Sequence, residues 1–168
     1  YKRQDLHLGI KLRGRSLIED QRHILKQIVE RAAEENIDAI VIVGDIYDRS
    51  VPPAEAVELF DGFITDLLSN VDNICIMVIS GNHDSQERLN IFRNILQKDN
   101  VYMIGMPPSG PDDYIEKVTF NYNEGIYNFY LLQIPRTYVK SQSVLPDYNA
   151  VLSRHALRVL LLFSPKTT

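Results

Sequence analysis

Residues 38–43, Asp-Ala-Ile-Val-Ile-Val, and residues 74–79, Ile-Cys-Ile-Met-Val-Ile, are short apolar runs that stop on Gly44 and on Ser80-Gly81. Neither run alternates apolar with polar residues. A strand with no polar face is buried on both sides, which is the condition of a central strand in a parallel sheet. Val101–Ile104 is a third, shorter run of the same kind. These runs alone point to an α/β fold, because parallel neighbours must be joined by crossovers, normally helical ones.

The segments between the runs supply helices. Ser16 followed by Glu19 reads as a capping box, and Leu17, Ile24, Leu25, Ile28, Val29 and Ala32 recur at helical spacing up to about Asn36. Pro52-Pro53 opens a second helix with the stripe Val57, Phe60, Ile64, Leu67 and Leu68. Ser85 is the expected N-cap of a third, carrying Leu89, Phe92, Ile95 and Leu96. After Pro107-Pro108-Ser109-Gly110-Pro111 the pattern changes: residues 114–122 and 126–134 flank Asn123-Glu124-Gly125, a hairpin signal. A helix is expected over 147–157, followed by the apolar run Val159–Phe163.

At 168 residues the chain is sized for one domain, and 24% charged residues is ordinary globular composition. A net charge of −4 excludes a protein that coats nucleic acid with basic surface, though not a local basic patch. The single cysteine, Cys75, cannot close an intramolecular disulfide and fits a reducing, cytoplasmic setting. No apolar stretch approaches a membrane span, so no membrane partner is expected.

Three polar clusters stand at or beside element ends: Asp5-Leu6-His7-Leu8-Gly9, Gly44-Asp45-Ile46-Tyr47-Asp48-Arg49 and Gly81-Asn82-His83-Asp84. Two of them directly follow buried strands. Ligands of open α/β sheets bind beyond the carboxyl ends of the strands, so these turns should converge on one crevice. Each cluster alone also reads as surface polarity, a helix cap or a polar turn. Their order and placement together carry the signal. Asp, His and Asn offer mixed oxygen and nitrogen donors of the kind manganese, iron and zinc accept.

In that order the clusters resemble the calcineurin-like metallophosphoesterases, whose pattern is Asp-x-His, Gly-Asp-x-x-Asp-Arg and Gly-Asn-His-Asp. Residues 14–21, the extended run from Gly44 to Val57 and Glu87-Arg88-Leu89 point within that superfamily to its DNA-end nucleases. The close likeness covers about residues 5–105 of a single domain spanning 1–168. The fold this implies is a sandwich of mixed β-sheets flanked by helices. The resemblance implies two Mn²⁺ ions in the intact family, with Asp5, His7, Asp45 and Asn82 as metal ligands, Asp45 bridging. It implies His83 as the catalytic group over the scissile phosphate and Asp84 as the carboxylate that orients it. Lys11, Arg13, Arg15 and Arg88 are candidates for the DNA backbone, and Arg49 for an ion pair beside the metal loop. Implied partners are DNA, an ATPase bearing a long coiled coil, and a second copy of the chain.

The chain departs from that pattern at both ends. The family continues with a lone metal-binding His and a Gly-His-x-His, which with His7 and His83 make five histidines where this chain has four, and Phe163-Ser164 stands where the lone His is expected. Only Tyr1-Lys2-Arg3-Gln4 precedes Asp5, in place of an apolar first strand. The expectation is therefore a domain incomplete at both ends. Two dications about 3.75 Å apart repel by roughly 18 kcal/mol at an effective dielectric of 20. Asp5 and Asp45 are the only carboxylates offered against them, so one weak metal site or none is expected. Two other readings stand beside the nuclease: a phosphomonoesterase or cyclic-nucleotide phosphodiesterase of the same superfamily, and a non-catalytic scaffold.

Overall fold

The computed structural model describes residues 6–91, 93–106, 116–122, 125–131 and 159–163. Asp5, the helix expected over 147–157 and Ser164 lie outside them. The elements run β1 (Lys11–Leu12), β2 (Arg15–Ser16), α1 (Ile18–Glu35), β3 (Ala39–Val43), α2 (Ala54–Asn70), β4 (Cys75–Ile79), α3 (Gln86–Leu89), α4 (Arg93–Leu96), β5 (Val101–Ile104), β6 (Glu116–Tyr122), β7 (Gly125–Leu131) and β8 (Val159–Phe163).

The four strands β5-β4-β3-β8 form one parallel sheet in that order. Period-two alternation divides its side chains. Ile40, Ile42, Ile76 and Val78 enter a core with Leu25, Val29 and Ala32 of α1 and Leu59, Phe60, Phe63 and Leu67 of α2. Ala39, Val41, Cys75, Met77 and Ile79 face the other way and meet Val118 and Leu131 of the antiparallel pair β6–β7. The sheet is thus covered by helices on one face and by a hairpin on the other, the mixed layered arrangement expected. The apolar run 159–163 pairs with β3 from Ala39↔Val159 to Val43↔Phe163, so both edges of β3 are occupied.

Two helix starts and ends differ from the sequence reading. The Ser16–Glu19 capping box does not form: Ser16 belongs to β2, Leu17 takes the N-cap place without a side-chain bond, and Glu19 lies 3.5 Å from Arg22 instead. The single third helix is two short ones. Ser85 does cap α3, accepting the Arg88 N–H at 3.4 Å, but the helix closes at Asn90, whose side-chain oxygen accepts the Gly105 N–H at 2.9 Å. That tertiary bond ties the break to the end of β5 and overrides the apolar periodicity. Pro53 sits at the N-cap of α2 as the Pro-Pro pair implied.

Candidate active site

Beyond the carboxyl ends of β3 and β4 the three polar turns meet. The His7 N–H donates to the Asp45 carbonyl at 2.9 Å, the Leu8 N–H to the Ile46 carbonyl at 2.8 Å, and the Asp48 N–H to the Leu8 carbonyl at 3.2 Å. The first turn therefore runs parallel to the second, with Leu8 bridged to Tyr47 and buried. Both His7 (φ 40°) and Asp45 (φ 44°) hold the left-handed backbone conformation. A non-glycine residue there costs on the order of 1 kcal/mol, so the contacts around each must hold it in place.

The third turn is drawn onto the second through side chains. Asp45 is buried, and its Oδ1 accepts the His83 N–H at 2.9 Å. Asp84 is buried as well and is bonded wholly to backbone. Its Oδ2 accepts the Gly81 N–H at 2.8 Å and the Ile46 N–H at 3.1 Å, and its Oδ1 accepts the Tyr47 N–H at 2.9 Å. Burial pushes the Asp84 carboxyl up, and the nearby Asp45 charge adds to that, while the three donated hydrogen bonds pull it down. The turns also sit so close that Gly81 is obligatory: a Cβ there would lie 2.0 Å from the Asp45 nitrogen.

These contacts put the His7 and His83 rings in an edge-to-face arrangement with centroids 4.9 Å apart. The resemblance implies that Asp84 orients the imidazole; its hydrogen bonds among the described residues go to backbone N–H groups, and they pin the turn that carries His83 to the turn that carries Asp45. The ring is oriented by Asp48, whose carbonyl lies 2.8 Å from His83 Nδ1. A carbonyl can only accept, so Nδ1 carries the hydrogen in this bond and Nε2 is the ring nitrogen that the bond does not engage. The Asp48 carboxylate also stands 3.9 Å from His7 Nδ1. Sequence reasoning assigns Asp48 no role of its own; its spacing of three from Asp45 within the second cluster is the signal that could have found it.

Of the implied metal donors, the structure brings His7 and Asp45 together and leaves Asn82 exposed on the same turn as His83. Among the described residues no group of three or more His, Cys, Asp or Glu side chains is close enough to hold a metal ion. The donor types suit a dication of mixed preference, but those described do not close a coordination sphere by themselves. Of the cationic candidates, Lys11, Arg13 and Arg15 are exposed on the β1–β2 hairpin, which leaves the His7 turn two residues after Gly9. Arg13 (φ 50°) and Gly14 (φ 82°) form its two-residue loop, with positive φ at both positions as such hairpins require. Arg88 is exposed on α3. Arg49 is exposed and makes no ion pair among the described residues, so its expected structural pairing is not seen there.

The profile of the calcineurin-like phosphoesterase family matches residues 5–158. The chain is also similar to the SbcD subunit of nuclease SbcCD from Staphylococcus saprophyticus, with 43% identity over 99 residues, which are 59% of this chain and 26% of that protein. The protein of the same name from Staphylococcus epidermidis is 43% identical over 100 residues, again 59% of this chain and 26% of the relative. The match thus spans about a quarter of the length of these relatives.

Proposed function

The chain belongs to the calcineurin-like phosphoesterase family, and from that premise we propose that its site hydrolyses DNA phosphodiester bonds at duplex ends, as part of a nuclease of the SbcCD type. The observation that carries the proposal is the packing of the His7 ring on the His83 ring, with Asp45 and Asp48 fixing both turns. The family is one of metal-dependent enzymes, and manganese is the ion in this proposal. When bound, such an ion supplies positive charge to the phosphoryl oxygens.

The chain's own residues supply the rest. With Nδ1–H held by the Asp48 carbonyl, the doubly protonated His83 ring gives its Nε2 proton to the departing oxygen as a water molecule attacks phosphorus and the P–O bond to that oxygen breaks. The exposed Lys11, Arg13, Arg15 and Arg88 hold the phosphate backbone near that imidazole. With a net charge of −4, attraction to DNA is local to this face. The SbcC-type coiled-coil ATPase, a second copy of the chain and a cytoplasmic location belong to the same proposal. They are supported by the likeness to the two staphylococcal SbcCD nuclease proteins. None of the described helices is long and apolar enough to cross a membrane.

The test compares duplex DNA ends with a small aryl phosphate monoester, both in Mn²⁺, for the chain and for His83→Gln. The expected result is cleavage of DNA in preference to the monoester, with a loss of about 10²–10⁴-fold in His83→Gln and unchanged Mn²⁺ binding. Turnover of the monoester alone would give the site to a phosphomonoesterase. Equal rates for the two chains would remove His83 from the chemistry.

A further inference from the structure

The His7 turn is gripped from a second side, by a residue outside the three polar clusters. Gln21, half-buried in the first turns of α1, donates from Nε2 to the Leu6 and His7 carbonyls, each at 2.9 Å, and accepts the Gly9 N–H on Oε1 at 3.1 Å. One amide group thus bonds backbone groups on three of four consecutive residues, and the His7 carbonyl accepts the Ile10 N–H at 3.1 Å as well. The stretch it spans contains two left-handed positions, His7 (φ 40°) and Gly9 (φ 86°), with the buried Leu8 between them. Opposite Gln21, the same stretch is bonded to the Asp45–Asp48 turn.

We propose that Gln21 is a positioning residue of the active site: its amide holds the left-handed backbone at His7 and thereby sets the His7 imidazole against that of His83. An amide is the one side-chain group that fits the site. It must donate twice and accept once from the same terminus, whereas a carboxylate would turn an oxygen toward two carbonyls and an apolar chain would leave all three backbone groups without Gln21. Loss of the clamp frees a strained left-handed conformation, so the turn relaxes toward ordinary φ and the ring moves with it. The purpose given to this geometry rests on the phosphodiesterase reading; the geometry itself does not.

Gln21→Met keeps length and volume while removing all three bonds. The experiment measures the nuclear Overhauser effect between the His7 and His83 ring protons with Mg²⁺ as a diamagnetic ion. It also measures kcat and KM on duplex DNA with Mn²⁺. The expected outcome is loss of most of the ring–ring signal and a fall in kcat of about 10²-fold, with KM changed by no more than about twofold. A residue that merely docks α1 would lower the melting temperature and leave both the ring signal and kcat in place, and that outcome overturns the proposal. If Gln21→Met does not fold, Gln21→Glu retains an acceptor for Gly9 while losing both donations. Its ring–ring signal is expected to be lost too, and retention there also overturns the proposal. Should the unsubstituted chain cleave no DNA, the phosphodiesterase reading fails, and the ring–ring signal alone decides the role of Gln21.

Discussion

The two ends of the parallel sheet use the same unusual backbone state for different purposes. At the amino ends of β3, β4 and β5 the chain turns through Asn36 (φ 44°), Asn73 (φ 54°) and Asn100 (φ 59°). Asparagine is among the residues that enter the left-handed region most readily; Asn36 is the C-cap of α1, and Asn100 that of a single 3-10 turn over Gln97–Asp99. At the carboxyl ends the same conformation falls on Asp45 and His7, whose side chains have further partners: the His83 N–H for Asp45, the His83 ring for His7. At one end the residue serves the turn. At the other the turn serves the residue.

The contrast between the two ends depends most on Asp84. Asp84→Ala removes the acceptor of three backbone N–H groups, at a cost of about 1–3 kcal/mol for each one left buried without a partner. A total loss of about 4 kcal/mol in urea unfolding is expected. A loss below about 1 kcal/mol would mean that the turns are held together by something other than this carboxylate.

A smaller effect separates the two ends of one strand. Asp45→Gly and Asn36→Gly place the same residue in the same conformation at opposite ends of β3. Asn36→Gly should leave stability within about 0.5 kcal/mol of the parent, since glycine accepts positive φ freely. Asp45→Gly gains that same ease but deprives the His83 N–H of its acceptor, and a net loss of about 1–2 kcal/mol is expected together with a displaced His83 ring. Equal effects at the two ends would erase the distinction between them.

The smallest effect concerns the sheet between the two ends. Burial alone pushes the Cys75 thiol up to about 12, so it stays protonated in the folded chain where an unfolded thiol ionises. With the folded value raised, the stability this adds is full below the ordinary thiol range and is lost as pH climbs through about 12. Iodoacetamide at about pH 9 should leave native Cys75 unmodified and label it in guanidinium. Ready labelling of the folded chain would show that the hairpin side of β4 is open to solvent.

Much of the parallel half was legible because its signals are local. The run Val101–Ile104 is a strand at the bounds read from sequence, β3 begins one residue inside the run 38–43, and the convergence of the polar turns follows from where such strands end. What was missed depends on contacts far apart in the chain. The Ser16–Glu19 capping box lost to the β1–β2 hairpin, and the third helix broke at Asn90 because Gly105, fifteen residues on, bonds its side chain. The Asp84 carboxylate faces donors thirty-seven and thirty-eight residues away, so no reading of Gly-Asn-His-Asp by itself shows that it binds turns together. Gln21 reaches across fourteen and fifteen residues from a helix whose local pattern shows only its apolar stripe.

Whether His7 and His83 share one site able to act beside a metal ion is measurable through the four histidines of the chain. Substoichiometric Mn²⁺ broadens the proton resonances of rings near it. The His7 and His83 rings are expected to broaden together while the exposed His23 on α1 stays sharp. Broadening that begins at His23, or that separates His7 from His83, would contradict a shared site.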